Sequence, residues 1–241
     1  IHLADMEGVP PVETTGQVRW FKRPTPGMTY LVSLDPSMGT GGDYAAIQVF
    51  ELPTFEQVGE WHHNMTPMNQ QIRILQGINK HIHDAILEKD SSASPQIFYS
   101  MENNTIGEAA LMRVMDIGEE NIIGMFLSEP IRKGHRRKFR RGFNTTAKHK
   151  IDACTKFKEL VESGKMKINS QLLISEMKDF VATGLSYKAK PGQHDDLVMS
   201  CLLMTRMMKV LADFDPKIFE KWTDRSSELT TPMPIFGNFY G

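Results

Sequence analysis

The chain has 241 residues, 40% hydrophobic and 24% charged, with a formal net charge of -1. That suits one domain with extensions, or two small domains, around a buried core, and it leaves any polyanionic partner to be argued from local charge. No apolar run reaches the length of a membrane helix, and no basic-then-apolar leader opens the chain. Cys154 and Cys201 have neither close spacing nor a cysteine–histidine ligand pattern, which fits a reducing compartment. The start at Ile1 rather than Met suggests a piece of a longer protein.

Residues 1–29 show little periodicity and carry Pro10, Pro11, Pro24, Pro26 and Gly27, which predicts an extended lead-in or linker arm. Strands are predicted over 30–35, 44–52 and 55–63, joined closely enough for an antiparallel meander. Ile72, Leu75, Ile78, Ile82 and Ile86 then recur three and four apart, an amphipathic helix over 68–90 entered through Thr66 as cap and Pro67 in the first turn. A strand over 96–101 follows. The next helix, over 105–118, has Gly107 and the small Ala109 and Ala110 to permit close approach to the sheet, and a strand over 121–127 comes after it.

This order, three antiparallel strands and then helix, strand, helix, strand, predicts an α/β fold with a mixed central sheet flanked by helices. It differs from the doubly wound dinucleotide pattern, which opens with a strand running into a helix. Residues 129–150 read as a polar connection. Thr145 and Thr146 cap a helix over 147–163 closed by Gly164, residues 166–169 read as a short strand, and a helix covers 172–180. A small hairpin over 181–190 turns at Gly184, and a long helix runs from His194 to Leu211. The implied division is a lead-in over 1–29, a domain over 30–212 and a tail over 213–241.

Chemistry concentrates at three places. Asp35 ends the first strand before a glycine-rich turn, Glu102 ends a later strand in Met101-Glu102-Asn103-Asn104, and Asp195-Asp196 opens the last helix after Pro191-Gly192. Brought together by the sheet, these acids make an oxygen-ligand site for divalent metal, of the two-ion kind that hydrolyses phosphodiesters. The rigid central strand suits Asp35 to bridge both ions, Glu102 reaches one of them, and the third ligand is Asp195 or Asp196, between which spacing does not choose. Each acid also has an ordinary reading: a turn cap for Asp35, a strand-end acid for Glu102, a helix cap for Asp195. Asp43, past the glycine turn, is an auxiliary ligand or a strand cap. His194 orients an aspartate, contacts phosphate, or is simply a first-turn histidine. His62-His63 lacks a nearby third partner and is expected at the surface. The glycine run ends in neither the lysine nor the hydroxyl residue of a Walker loop, and no dinucleotide fingerprint enters a helix.

The second signal is basic. Between 132 and 150 there are nine Lys/Arg and no acid: Arg132, Lys133, Arg136, Arg137, Lys138, Arg140, Arg141, Lys148 and Lys150. A solvated surface is the plain reading. Phosphate-backbone contact with little base readout is the better one in a chain of net charge -1. Lys188 and Lys190 in the predicted hairpin would touch the same duplex.

Three strings carry a family resemblance: Ser33-Leu34-Asp35-Pro36-Ser37 with its glycine turn to Asp43-Tyr44-Ala45-Ala46, Met101-Glu102-Asn103-Asn104, and His194-Asp195-Asp196-Leu197-Val198-Met199-Ser200. Over roughly residues 28–212 the chain resembles the nuclease domain of the large terminase subunit of T4-like tailed bacteriophages, a fold of the RNase H-like, resolvase type. The resemblance implies an endonuclease that cuts concatemeric double-stranded viral DNA during genome packaging with low sequence specificity, using Mg²⁺ or Mn²⁺, two ions in all. It assigns the metal-binding acids to Asp35, Glu102 and Asp196, with Asp195 beside them and Asp43 a neighbouring acid. It further implies an N-terminal ATPase motor, a portal ring and a small terminase subunit as partners, no membrane, and work at the procapsid in the host cytoplasm. No ATPase motif lies in these residues, and the lead-in would join the motor. Two other readings stand beside this one: a Holliday-junction or recombination nuclease of the same fold, and a non-catalytic DNA-gripping module of a packaging motor.

Overall fold

The computed structural model describes residues 2–130, 141–183 and 186–214. The central strand β3 (Thr29–Asp35) is buried along nearly its whole length, and β4 (Ala45–Leu52) along all of it. Both are therefore mostly apolar rather than alternating, with Ser33, Gln48 and Glu51 as buried polar exceptions. They pair antiparallel, and β5 (Glu56–His63) continues the meander, as expected. On the other side β6 (Gln96–Met101) pairs parallel with β3. The mixed sheet predicted from element order is thus present.

The lead-in departs from its expected form. Residues 13–20 are not an extended arm: β1 (Glu13–Thr15) and β2 (Val18–Trp20) form a hairpin, and β2 pairs with β5. Trp20 is buried, packed against the bare backbone of Gly59 and stacked on His81 at 4.3 Å. These strands have three residues each, too few to show a period. The far edge also differs. Of the strand expected over 121–127 only β7 (Met125–Phe126) pairs, because Glu119–Asn121 close into a 3₁₀ turn. The sheet has seven strands in the order β1-β2-β5-β4-β3-β6-β7.

Alternate residues of β3 feed two cores. Tyr30, Val32 and Leu34 face α1 (Met68–Lys89) and α2 (Thr105–Ile117). Leu31, Ser33 and Asp35 face the other layer, built from α3 (Ala147–Glu162), α4 (Gln171–Asp179) and α5 (Asp196–Phe214). Both cysteines are buried thiols in that second layer. Thr146 caps α3 through its hydroxyl, as read from the sequence. Thr66 does not cap α1: Pro67 itself takes the cap position, and the Thr66 hydroxyl bonds Nδ1 of His63 at 2.7 Å. The stretch 166–169 makes one bridge, between Lys167 and Glu56, rather than a strand. A hairpin of β8 (Phe180–Thr183) and β9 (Ser186–Ala189) stands apart as its own sheet, with its turn at 184–185 outside the described residues.

Two contacts register the layers over the end of β3. Ser33 and Ser200 exchange hydroxyl-to-carbonyl hydrogen bonds, of 2.9 and 3.1 Å. On the other face the buried Gln71 of α1 holds the chain just after Asp35. Its amide nitrogen donates to the carbonyls of Ser37 and Thr66, and its oxygen accepts from Ser37 N.

Gly107 fulfils the close approach anticipated for it. A Cβ there would lie 1.8 Å from the carbonyl oxygen of Glu102, so α2 touches the strand end that carries this acid. Gly107→Ala is predicted to cost about 1–3 kcal/mol in urea denaturation through overpacking. Gly77 of α1 meets nothing within 4 Å, so Gly77→Ala should stabilise by roughly 0.5–1 kcal/mol. Equal effects of the two substitutions would contradict this reading of the α2 contact.

Candidate metal centre

One row of residues crosses the sheet on the α5 side. Glu102 lies one step beyond the Leu34–Met101 pair and is tied to β3 by its amide, which donates to Leu34 O. Asp35 pairs with Ala46, and Ala46 with His62. Neighbouring strands are about 4.8 Å apart, so His62 lies about 10 Å across the sheet from Asp35. Ala46, only a methyl, leaves room between them for the start of α5, which packs on β3 and β4.

The Ser33–Ser200 pair fixes that placement. Asp35 lies two positions past Ser33 on the strand and Asp196 four positions before Ser200 on the helix, offsets of roughly 6–7 Å and 6 Å. Asp35 and Asp196 therefore meet one step above the serines. Asp195 takes the cap position, its carbonyl accepting from Met199 N at 2.8 Å, and Asp196 begins the helix. Their side chains part. Asp195 Oδ2 accepts from Ala189 N of the hairpin at 3.1 Å, while Asp196 accepts from the Tyr44 amide and lies 3.7 Å from His194 Nδ1.

The structure thus gathers Asp35, Glu102, Asp195 and Asp196 at one end of the sheet, with exposed Asp43 near enough to act on Asp196 by charge. Asp35 and Glu102 stand side by side at the ends of adjacent strands, close enough for the Glu102 carboxylate to act on Asp35. Burial, then the charge of Glu102, then Asp196 and Asp195 push the Asp35 carboxyl well above its usual range. Burial and Asp195 push Asp196 up to about 6, with His194 pulling the other way.

Two partners of Asp196 were not legible in the sequence. His62, expected at the surface, is half-buried, stacked on Tyr44 at 4.0 Å, with Nε2 3.7 Å from Glu176 Oε1. Glu176 of α4 caps α5 from outside: its Oε2 accepts from Leu197 N at 2.9 Å and Val198 N at 3.1 Å. Among the described residues, His62, Glu176 and Asp196 bring ligand atoms within 4.8 Å of one another, a donor set that fits a divalent cation. Burial holds His62 down at about 4 and lifts Glu176 to about 8, the latter opposed by its two amide bonds.

On the far side of Asp35 a cleft between α3 and α5 is lined by Asp35, Glu102, His149, Lys150 and Arg206. Arg206 also escaped sequence reading. It pairs with Glu129, donates to Asn144 O at 3.0 Å and to Thr145 Oγ1 at 3.0 Å, and lies over the Phe143 ring. The flanks of the basic stretch are therefore joined at this cleft. Arg132, Lys133, Arg136, Arg137, Lys138 and Arg140 lie outside the described residues. Arg141 pairs with Glu119 and covers Phe126, Lys150 lies over Phe180, and Lys190 pairs with Asp179 at 2.9 Å, whereas Lys148 and Lys188 are exposed.

These shifts give stability a pH dependence. Asp35, Asp196 and Glu176 bind protons more tightly folded than unfolded, so each contributes less stability as pH rises toward its folded pKa. His62 acts oppositely between about 4 and 6.5. Above 6.5 the His62 contribution is constant, while Glu176, at about 8, is still losing its proton. Metal-free protein is predicted to lose stability between pH 6.5 and 8, by at most about 1.4 kcal/mol per pH unit for each retained proton. Chemical denaturation across that interval checks this, and Glu176→Gln should flatten the slope. An unchanged slope in that variant would contradict the assignment.

The fold has counterparts among known proteins. Residues 32–207 match the family model described as the terminase RNaseH-like domain. The large terminase nuclease of thermophilic phage G20c with bound magnesium superposes with a TM-score of 0.60 at 18% identity, over 83% of this chain and 93% of that one. The same phage G20c nuclease is also known with cobalt and with zinc bound. The large terminase nuclease domain of Thermus phage P74-26 gives 0.59 at 18% identity, over 83% and 90%. The human cytomegalovirus terminase nuclease domain, soaked with manganese and inhibitor-bound, gives 0.51 at 14% identity, over 75% and 82%. With the family model spanning most of its length and these structures sharing its fold, the chain belongs to the terminase RNaseH-like domain family.

Proposed function

We propose that the chain is a divalent-metal-dependent endonuclease that cuts concatemeric double-stranded viral DNA during packaging, with Asp35, Glu102 and Asp196 as the acids that hold the ions. The observation that carries this is the Asp35–Glu102 pair at the ends of adjacent strands, beside the helix start that bears Asp196. Two ions bound there would supply Lewis-acid chemistry, activating water and neutralising phosphate charge. Asp35, on the central strand β3, and Glu102, at the end of β6, would hold them. Asp196 is favoured over Asp195 because its charge acts more strongly on Asp35 and because its carboxylate also stands beside His62 and Glu176. His194 orients Asp196, and Asp43 is close enough to tune its charge.

The DNA path follows from the cations. Lys148 and Lys188 are exposed, and Lys150 lines the cleft beside Asp35. On either side of the basic stretch, Glu129 and Asn144 both meet Arg206. Arg141 and Lys190 have acidic partners and would have to exchange them for phosphate. Membership of the T4-like branch is supported by the three residue strings around Asp35, Glu102 and Asp196. A motor domain, a portal ring and a small terminase subunit as partners, and a place at the procapsid in the host cytoplasm, follow from that membership. The nuclease unit extends from β1 through α5, since β1 and β2 complete the sheet.

Asp35→Asn is expected to reduce cleavage of linear duplex by more than about 100-fold, Asp196→Asn similarly, and Asp195→Asn by about tenfold. Circular dichroism should show all three folded. Wild-type cleavage by folded Asp35→Asn would refute the reading, and cleavage of four-way junctions alone would favour a resolvase.

Replacing Arg136, Arg137, Lys138, Arg140 and Arg141 by Ala should weaken binding to unrelated duplexes about equally. The logarithmic salt slope should fall by roughly 1 for each phosphate that is no longer neutralised. Fluorescence anisotropy at several salt concentrations measures both, and unchanged affinity and slope would remove this stretch from the DNA surface.

A further inference from the structure

Asp196 faces two ways: toward Asp35 and Glu102 on one side, and toward His62 and Glu176 on the other. The cleavage chemistry uses the first side only. On the second, Glu176 is fixed by giving Oε2 to the amides of Leu197 and Val198, which leaves Oε1 turned to His62. The His62 ring is held flat against Tyr44, and its Nε2 is buried without a hydrogen-bond partner. A buried ring nitrogen with no partner is costly unless something binds it.

We propose that His62, Glu176 and Asp196 form a second cation site, which takes transition ions such as Co²⁺, Mn²⁺ or Zn²⁺ in preference to Mg²⁺. The preference follows from the donors. Mg²⁺ keeps to oxygen and to its own waters, whereas an imidazole with two carboxylates suits borderline metals. Bonds of about 2.1 Å at tetrahedral angles put donors roughly 3.4 Å apart. His62 Nε2 and Glu176 Oε1 already stand 3.7 Å apart, and all three donors lie within 4.8 Å. Small side-chain movements therefore close the site. Through the shared Asp196 this inference rests on the proposed nuclease centre, where an ion at His62 would compete for that carboxylate.

Co²⁺ titration of the whole chain, followed by visible absorption with and without excess Mg²⁺, tests the site. The expected result is one class of Co²⁺ that Mg²⁺ does not displace, weakened at least tenfold in His62→Phe and in Glu176→Gln and retained in Asp35→Asn. Phe preserves the stack on Tyr44 while removing the nitrogen. In the parent protein, substoichiometric Mn²⁺ in the presence of Mg²⁺ should broaden the His62 ring resonances first. Absence of that broadening, or a Co²⁺ titration that His62→Phe leaves unchanged, overturns the proposal. The nuclease reading fails separately, if Asp35→Asn still cuts duplex DNA.

Discussion

Carboxylates repel, and this protein holds Asp35, Glu102, Asp195 and Asp196 together at one end of its sheet. Their mutual repulsion and partial burial raise the free energy of the metal-free fold, and a cation between them relieves both. The rest of the structure has to keep the acids from moving apart. The sheet ladder does this for Asp35 and Glu102, since neighbouring parallel strands cannot splay without breaking a run of backbone hydrogen bonds that ends at Leu34 O. Gln71 does it for the turn after Asp35.

The helix side relies on fewer contacts. Ser33 and Ser200 set how far α5 slides along β3, and Glu176 sets where α5 begins. An acid capping the helix from another element does two things at once. It satisfies the N–H groups of the first turn, and it brings a carboxylate beside Asp196. Arg206, further along the same helix, ties Glu129 to Asn144 at the cleft. One helix thereby connects the carboxylate centre, the His62 side and the flanks of the basic stretch.

Much of this was legible in the sequence because it is local. The β3 and β4 runs, the spacing of Ile72 to Ile86 and the cap at Thr146 each signal within a few residues, and the acids at strand ends and a helix start stand out against apolar flanks. What escaped is tertiary. Glu176 caps a helix that starts 20 residues later, and nothing near it in sequence says so. His62 looks like a surface residue until β5 pairs with β4 and puts it level with Ala46. The strands β1 and β2 are too short to show alternation, so a segment that buries Trp20 and Phe21 read as linker. The choice between Asp195 and Asp196 turns on which of them stands nearer Asp35, His62 and Glu176, a placement that spacing alone does not give.

Nuclease chemistry in this fold depends on cations being held by Asp35, Glu102 and Asp196. Diffraction from crystals soaked in Mn²⁺, recorded at the manganese absorption edge, tests this most directly because it locates ions without relying on activity. The predicted result is an anomalous peak within bonding distance of both Asp35 and Glu102, and a ligand contact from Asp196. Manganese bound elsewhere on the chain, with no ion beside Asp35 and Glu102, would contradict it.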